Sequence, residues 1–183
     1  MLMLGVTGTN GKTSITYLLE WVLNRISFPC GVLGTVDHHF LENVWQTENT
    51  TPGPVELHSR LKEIKDLGAK AIAMEVSSHA LEQSRADGVH FDVVIFTNLT
   101  RDHLDYHSDM KTYFQAKQRL FSDLIWKTNK RTPFAIINTD DAWGARLRVS
   151  SKAGFLSYGM GDTADFRFEI LDVGFSYTSI QFF

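Results

Sequence analysis

Gly8-Thr9-Asn10-Gly11-Lys12-Thr13 brings together the residue types that hold a polyphosphate. Its two glycines let successive backbone N–H groups turn inward with no Cβ in the way, which makes a concave nest for phosphate oxygens. Lys12 offers a point charge to the outer phosphates, and the Thr13 hydroxyl is placed to reach a magnesium ion. A helix starting at Thr13 directs the positive end of its dipole at the same spot. The segment directly follows the apolar run Met3-Leu4-Gly5-Val6, so it reads as the phosphate loop of a nucleoside triphosphate site. The common form of this loop carries glycine five residues before its Gly-Lys pair. Here that place is Val6, so the loop is a variant with Gly8 as its first tight point.

Polar residues also collect behind other apolar runs, where an open parallel sheet binds its ligands. Glu75 ends Ala71-Ile72-Ala73-Met74 and heads Glu75-Val76-Ser77-Ser78-His79. A carboxylate at a strand end beside a phosphate loop is a natural magnesium ligand or water-holder; capping the following turn is the other role open to it. Asn98 to His107 follows Val93 to Phe96, and Arg101-Asp102-His103-Leu104-Asp105-Tyr106-His107 within it is dense in ionisable groups. Asp102 and His103 suit a metal or a substrate group, or a solvated hydrogen-bonded loop. The spacing of His103 and His107 places both on one helical face. With no His-Glu-x-x-His arrangement and no cysteine nearby, zinc is disfavoured. Asn138-Thr139-Asp140-Asp141 follows Phe134 to Ile137 at the same edge.

Lys117 is the least obvious candidate. In a helix from about Asp109 to Phe121, its neighbours three and four residues away are Tyr113, Phe114, Leu120 and Phe121, which puts a lysine on the inward face. Burial lowers the pKa of a lysine because the charged form loses hydration. A neutral amine can add carbon dioxide, and the resulting carbamate is a carboxylate-like ligand for a hard cation. A lysine that snorkels past its aromatic neighbours is the alternative.

The elements that must position these groups follow from periodicity. Apolar runs at Gly31 to Val36, Ala71 to Met74, Val93 to Phe96 and Phe134 to Ile137 suit strands buried on both faces. Ile15, Leu18, Leu19, Val22, Leu23 and Ile26 follow the helical period, as do Leu57, Leu61, Ile64 and Leu67. Pro54 fits the first turn of the second helix and Gly68 its C-terminal cap. The alternation predicts an α/β fold, a doubly wound and mostly parallel sheet with right-handed crossovers. Asp37 to Asn49 reads as a hairpin or ordered loop. Phe166 to Phe183 reads as a small antiparallel sheet beside the main one, turning near Asp172-Val173-Gly174.

At 183 residues the chain is one domain by size, with 43% apolar and 21% charged residues. A net charge of −3 with no basic block argues against nucleic acid as a partner. Cys30 is alone, which points to a reducing, cytoplasmic compartment. No apolar run approaches the roughly 20 residues that span a bilayer, and no secretory signal is visible. The start almost inside a strand and the stop in the alternating Thr178 to Phe183 suggest an excised domain that lacks its last strands.

Taken together, Gly8 to Thr13, Thr50-Thr51-Pro52, Glu75 to His79, Thr97 to Asp105 and Asn138 to Asp141 resemble the central domain of the Mur ligases, which build the peptide stem of peptidoglycan. The resemblance runs from about Gly5 to Asp141. It is strongest for the branch that adds the third amino acid, meso-diaminopimelate or L-lysine, to UDP-N-acetylmuramoyl-L-alanyl-D-glutamate. In this family the variant phosphate loop is the usual form.

The resemblance implies a set of roles. Gly8, Thr9, Asn10, Gly11, Lys12 and Thr13 would hold ATP, with Asn138 and Asp141 meeting its adenosine. Thr13, Glu75, His103 and Lys117 as a carbamate would serve magnesium. Thr50, Thr51, Ser77, Gln83 and Arg85 would contact the UDP-muramoyl dipeptide. Lys12, Lys117 and His103 would be the catalytic groups. The chain would be a monomeric central domain spanning 1–183, with separate UDP-binding and amino-acid-binding domains absent. ATP would phosphorylate the terminal carboxylate of the substrate, and the incoming amine would displace phosphate from the acyl phosphate. A non-catalytic nucleotide-binding module, a water-using P-loop NTPase, another Mur ligase and a folylpolyglutamate-type ligase are the competing readings.

Overall fold

Strands flanked on both sides by other strands, and covered on both faces, must be apolar throughout. Leu2–Thr7, Cys30–Leu33 and Ala71–Glu75 meet that demand, being buried along nearly their whole lengths. In the computed structural model, which describes residues 1–183, the chain order is β1 (Leu2–Thr7), α1 (Lys12–Arg25), β2 (Cys30–Leu33), β3 (His38–Phe40), β4 (Asn43–Trp45), α2 (Pro54–Asp66), β5 (Ala71–Glu75), α3 (Ser78–Glu82), β6 (Val93–Phe96), α4 (Met110–Arg119), α5 (Ile125–Lys127), β7 (Phe134–Asn138), β8 (Gly154–Gly159), β9 (Phe166–Val173) and β10 (Thr178–Phe182). They form a ten-stranded sheet in the order β10-β9-β8-β7-β6-β1-β5-β2-β3-β4. From β8 across to β2 every pairing is parallel, as the strand–helix alternation predicts.

Register does the positioning. Val6 of β1 lies level with Glu75 of β5 and Ile95 of β6, so the three strands end together. The phosphate loop, Glu75 and the segment from Thr97 are therefore delivered side by side to the carboxyl edge. Behind them, α2, α3 and α4 cover one sheet face in a cluster that includes Ile72, Met74, Phe96, Leu57, Ile64, Tyr113 and Phe121. On the other face Leu19 and Leu23 of α1 pack against Leu4, Cys30, Ala71 and Ala73.

Several expectations are revised. The apolar stripe of α1 is only half used: Leu18, Val22 and Ile26 are 61%, 49% and 68% exposed. β2 stops at Leu33, because Gly34 to Asp37 turns the chain back into the antiparallel β2–β3 pair. The segment Asp37 to Asn49 contains the β3–β4 hairpin. The helix expected to end near Phe121 continues through a π-helical turn, Leu120–Leu124, into α5. Asp109 is its N-cap, accepting from the Thr112 N–H at 2.7 Å. The C-terminal hairpin is antiparallel as expected, but it extends the main sheet. β8 supplies the link, pairing in parallel with β9 at Tyr158–Phe166 and Gly159–Arg167. The alternating Gly154-Phe155-Leu156-Ser157-Tyr158-Gly159 was the available signal for that strand.

Candidate active site

The phosphate loop joins β1 to α1 and is braced by the loop after β6. Gly8 sits at φ +147°, and a Cβ there would lie 1.9 Å from Thr97 Oγ1. Only glycine lets the loop approach this closely. The Thr97 hydroxyl donates to the Asn10 carbonyl at 2.6 Å, Asn10 N–H donates to Asn98 Oδ1 at 3.0 Å, and Thr9 N–H donates to the Asn98 carbonyl at 2.9 Å. Gly11 is left-handed at φ +84° and forms the N-cap of α1.

Thr13 and Glu75 meet as their strand-end and helix-start positions demand. Thr13 Oγ1 donates to Glu75 Oε1 at 2.8 Å. Glu75 is 1% exposed and also accepts from the Thr35 N–H at 2.9 Å and the Thr35 hydroxyl at 3.0 Å. Gly34 leaves room for this carboxylate, since a Cβ there would come within 2.5 Å of Glu75 Oε1. A buried carboxylate held only by hydroxyl and amide donors is a fitting partner for a hard cation.

Lys117 reaches the same loop from the opposite side. Its side chain is 1% exposed, with Nζ donating to the Gly8 carbonyl at 2.9 Å and lying 4.6 Å from the centre of the Tyr113 ring. Burial drives its pKa well below the ordinary lysine value and the Lys12 charge lowers it further, against the pull of Asp102. Lys12 Nζ donates to the Gly8 and Thr9 carbonyls at 3.0 and 2.8 Å. Its pKa is lowered by burial, with Glu75 and Asp102 opposing. The sequence placed Lys117 inward; its aim at Gly8 comes from the packing of α4.

Above this floor opens a polar cavity of about 390 Å³ with no hydrophobic side chain in its lining, walled by Thr9, Lys12, Thr50, Ser77, Arg85 and His103 among others. Arg85 donates through Nη1 to the Thr51 carbonyl at 3.0 Å and through Nε to Gln83 Oε1 at 2.8 Å. Thr51 is 1% exposed, and its hydroxyl is spent on the Glu75 carbonyl at 2.9 Å, so it shapes the wall from behind. Gln83 likewise stands outside the lining, bonded to the Tyr106 hydroxyl at 3.0 Å. Thr35, Asn49 and His79 line the cavity without having been singled out. Thr35 falls inside the apolar run Gly31 to Val36, and only the end of β2 at Leu33 places it at the carboxyl edge.

The histidines divide. His103 is in a left-handed turn at φ +52° and borders the cavity, 3.4 Å from Asp102 Oδ2. His107 is buried and bonds Ser78 Oγ at 2.9 Å. They do not share a helical face, because α4 begins only at Met110. No group of three or more His, Cys, Asp or Glu side chains is arranged to hold a metal.

Asn138 and Asp141 reach the edge with their polar atoms engaged. Asn138 Nδ2 donates to the Thr97 carbonyl at 2.8 Å, and its Oδ1 accepts from the Asp140 N–H at 3.0 Å. Asp141 accepts from the Leu99, Trp143 and Gly144 N–H groups at 3.0, 2.9 and 3.0 Å. Both pin the β7 loop to the loop after β6.

A parallel sheet that places a Gly-Lys-Thr loop, a strand-end glutamate and a buried lysine at one edge defines a nucleotide-binding α/β domain of the P-loop kind. Residues 6–183 match the Mur ligase middle domain, and the chain belongs to the Mur ligase family. It is 49% identical over 168 residues, 91% of this chain, to the UDP-N-acetylmuramoyl-L-alanyl-D-glutamate--2,6-diaminopimelate ligase of Geobacter sulfurreducens. A solved structure of an enzyme of that name superposes with a TM-score of 0.86 at 31% identity, covering all of this chain and 37% of the other. The MurF ligase of Thermotoga maritima, solved in complex with ADP, shares the fold at a TM-score of 0.65 and 17% identity, over 99% of this chain and 38% of that one. The chain spans about a third of the length of the curated relatives it matches (33% of the Geobacter enzyme). No helix is long and apolar enough to cross a membrane.

Proposed function

We propose that this chain is the central, ATP-binding domain of a ligase that joins 2,6-diaminopimelate to UDP-N-acetylmuramoyl-L-alanyl-D-glutamate. The observation that carries this reading is the convergence of the Thr13–Glu75 pair and the buried Lys117 on one phosphate loop, which Lys12 opens to the polar cavity. A P-loop hydrolase uses a lysine, a hydroxyl–carboxylate pair for magnesium and a water, so the buried Lys117 is the group it does not call for. The similarity to relatives named for this reaction chooses the acceptor.

The residues present fit ATP and magnesium. The cradle at Gly8 is one that a Cβ would fill, and Thr13 and Glu75 make an oxygen donor set suited to a hard cation. Magnesium, when bound, would neutralise phosphate charge. On this reading the Gly8 to Thr13 amides hold the phosphates, and Lys12 leaves the Gly8 and Thr9 carbonyls to pair with the outermost one. Asn138 and Asp141 shape the adenosine edge. Thr50, Ser77 and Arg85 hold the muramoyl dipeptide carboxylate in line, with Thr51 and Gln83 fixing their positions.

The attack of that carboxylate on the outermost phosphorus of ATP breaks the bond to ADP and gives an acyl phosphate, which the incoming amine converts to an amide with loss of phosphate and a proton. Two anions must approach each other for this, and Lys12 screens their repulsion. His103 borders the same space and serves the metal or its water. A lysine as buried as Lys117, with its pKa depressed, favours the neutral amine that accepts carbon dioxide. Its carbamate would add a second anionic ligand for magnesium.

The UDP grip and the amino-acid delivery are assigned to the remaining length that the relatives possess. The chain by itself is expected to bind Mg-ATP weakly and not to ligate; detectable ligation refutes this division of labour. Phosphate release is the test for the longer enzyme. It should require both the muramoyl dipeptide and diaminopimelate, and release that ignores the dipeptide would sink the ligase reading in favour of a water-using NTPase. Glu75→Gln should weaken magnesium binding and abolish turnover.

A further inference from the structure

His107 lies at a crossing of buried contacts that the proposed chemistry does not use. Its ring is wholly enclosed, and its Nε2 bonds Ser78 Oγ at 2.9 Å, the first residue of α3. Nδ1 stands 3.2 Å from a Glu82 carboxylate oxygen but off the line of a hydrogen bond, so the Ser78 contact is the one directional tie. The ring faces Tyr113 of α4 at 5.1 Å, tilted by 31°. Tyr113 in turn places its hydroxyl 3.2 Å from Thr9 Oγ1 in the phosphate loop. The His107 backbone N–H donates to the His103 carbonyl at 2.9 Å, closing the turn that presents His103 to the cavity. One imidazole thus touches the helix flanked by Ser77 and Gln83 and the helix that carries Lys117, while its backbone N–H ties it to the loop that carries His103.

We infer that His107 is a positioning residue that sets α3, and with it the Ser77 and Arg85 wall of the cavity, against the tyrosine that steadies the phosphate loop. The inference rests on the proposed reading of that wall as the dipeptide contact. α3 has only five residues and cannot hold its place by its own backbone bonds. Its entry is fixed by the Ser77 side chain, which accepts from the Ala80 N–H at 3.1 Å, and by His107 on Ser78. A merely space-filling aromatic would need no nitrogen aimed at Ser78.

Glutamine and asparagine separate the two roles, because the glutamine amide nitrogen falls where Nε2 stands and the asparagine one falls where Nδ1 stands. His107→Asn should raise amide hydrogen exchange at Leu81 and Gln83, whose N–H groups bond within α3, by about tenfold. In the longer enzyme it should weaken binding of UDP-N-acetylmuramoyl-L-alanyl-D-glutamate by about tenfold while Mg-ATP affinity moves less than about threefold. His107→Gln should restore both to within about threefold of the parent, although its melting temperature falls as far as that of the asparagine variant. The inference is overturned if glutamine fails to restore, if α3 exchange does not respond, or if both ligands weaken in step with melting temperature. Should the unsubstituted longer enzyme take up neither ligand, the proposed function fails on its own, and the exchange comparison alone decides the role of His107.

Discussion

Lys12 and Lys117 donate to the same acceptor, the Gly8 carbonyl oxygen, at 3.0 and 2.9 Å. Two ammonium groups on one oxygen repel strongly where water is scarce, and the deeper one bears the cost. Lys117→Met should therefore keep the fold, with stability unchanged or raised by about 1–3 kcal/mol. Denaturant melts check this, and a loss of similar size would show the ammonium to be stabilising. Carbon-13 spectra after treatment with labelled bicarbonate should show a carbamate signal in the parent chain and none in the variant.

The glycines of the phosphate loop should differ in their tolerance. Gly11→Ala meets no atom within 4 Å and suffers only the left-handed backbone at φ +84°, a cost of about 1–2 kcal/mol. Gly8→Ala adds to a strained φ a collision with Thr97 Oγ1 at 1.9 Å. It should cost more stability than Gly11→Ala and abolish Mg-ATP binding, as read by calorimetry and melts on the two variants side by side.

His39 should stabilise the protein in acid. Burial opposes its charge, but hydrogen bonds to Asp37 at 2.6 Å and Glu20 at 3.0 Å outweigh that and raise its pKa. A raised folded value contributes stability that is fully present below the unfolded value near 6.5 and is lost as pH climbs through the folded one. The urea midpoint of His39→Gln should lie well below the parent at pH 6 and approach it in alkali. A gap that widens with pH would reverse the sign and refute the clamp.

Its neighbour His38 should act in the opposite sense. The ring is fully buried with neither nitrogen bonded, and burial, then the Arg60 charge, push its pKa down to about 4. Stability present above about 6.5 is therefore lost as pH falls toward 4, by about 3 kcal/mol across that window. His38→Leu should flatten this acid slope in urea melts at pH 7, 5.5 and 4. An unchanged slope would assign the acid sensitivity elsewhere.

The phosphate loop, the strand-end Glu75 and the inward Lys117 were all legible, because each depends on short-range spacing along one element. The α1 stripe was misjudged in extent, since a helix pattern shows which residues are apolar and not how many of them a given sheet face covers. β8 was passed over for a related reason: its alternation is short, and only the partner strands on either side make it a strand.

The sequence by itself determined the alternation of the central strands with α1, α2 and α4, the character of the phosphate loop and the kinds of group at the sheet edge. These follow from local φ preferences, period and side-chain chemistry. Tertiary structure alone decided which groups meet: Lys117 on the carbonyl of Gly8, Thr35 on Glu75, and the His107 ring on Ser78 rather than on one helical face with His103. Such contacts are set by strand register and helix packing between residues far apart in the chain. Asn138 and Asp141 make the same point, for their types suggested a ligand, and the fold spends their polar atoms on its own backbone.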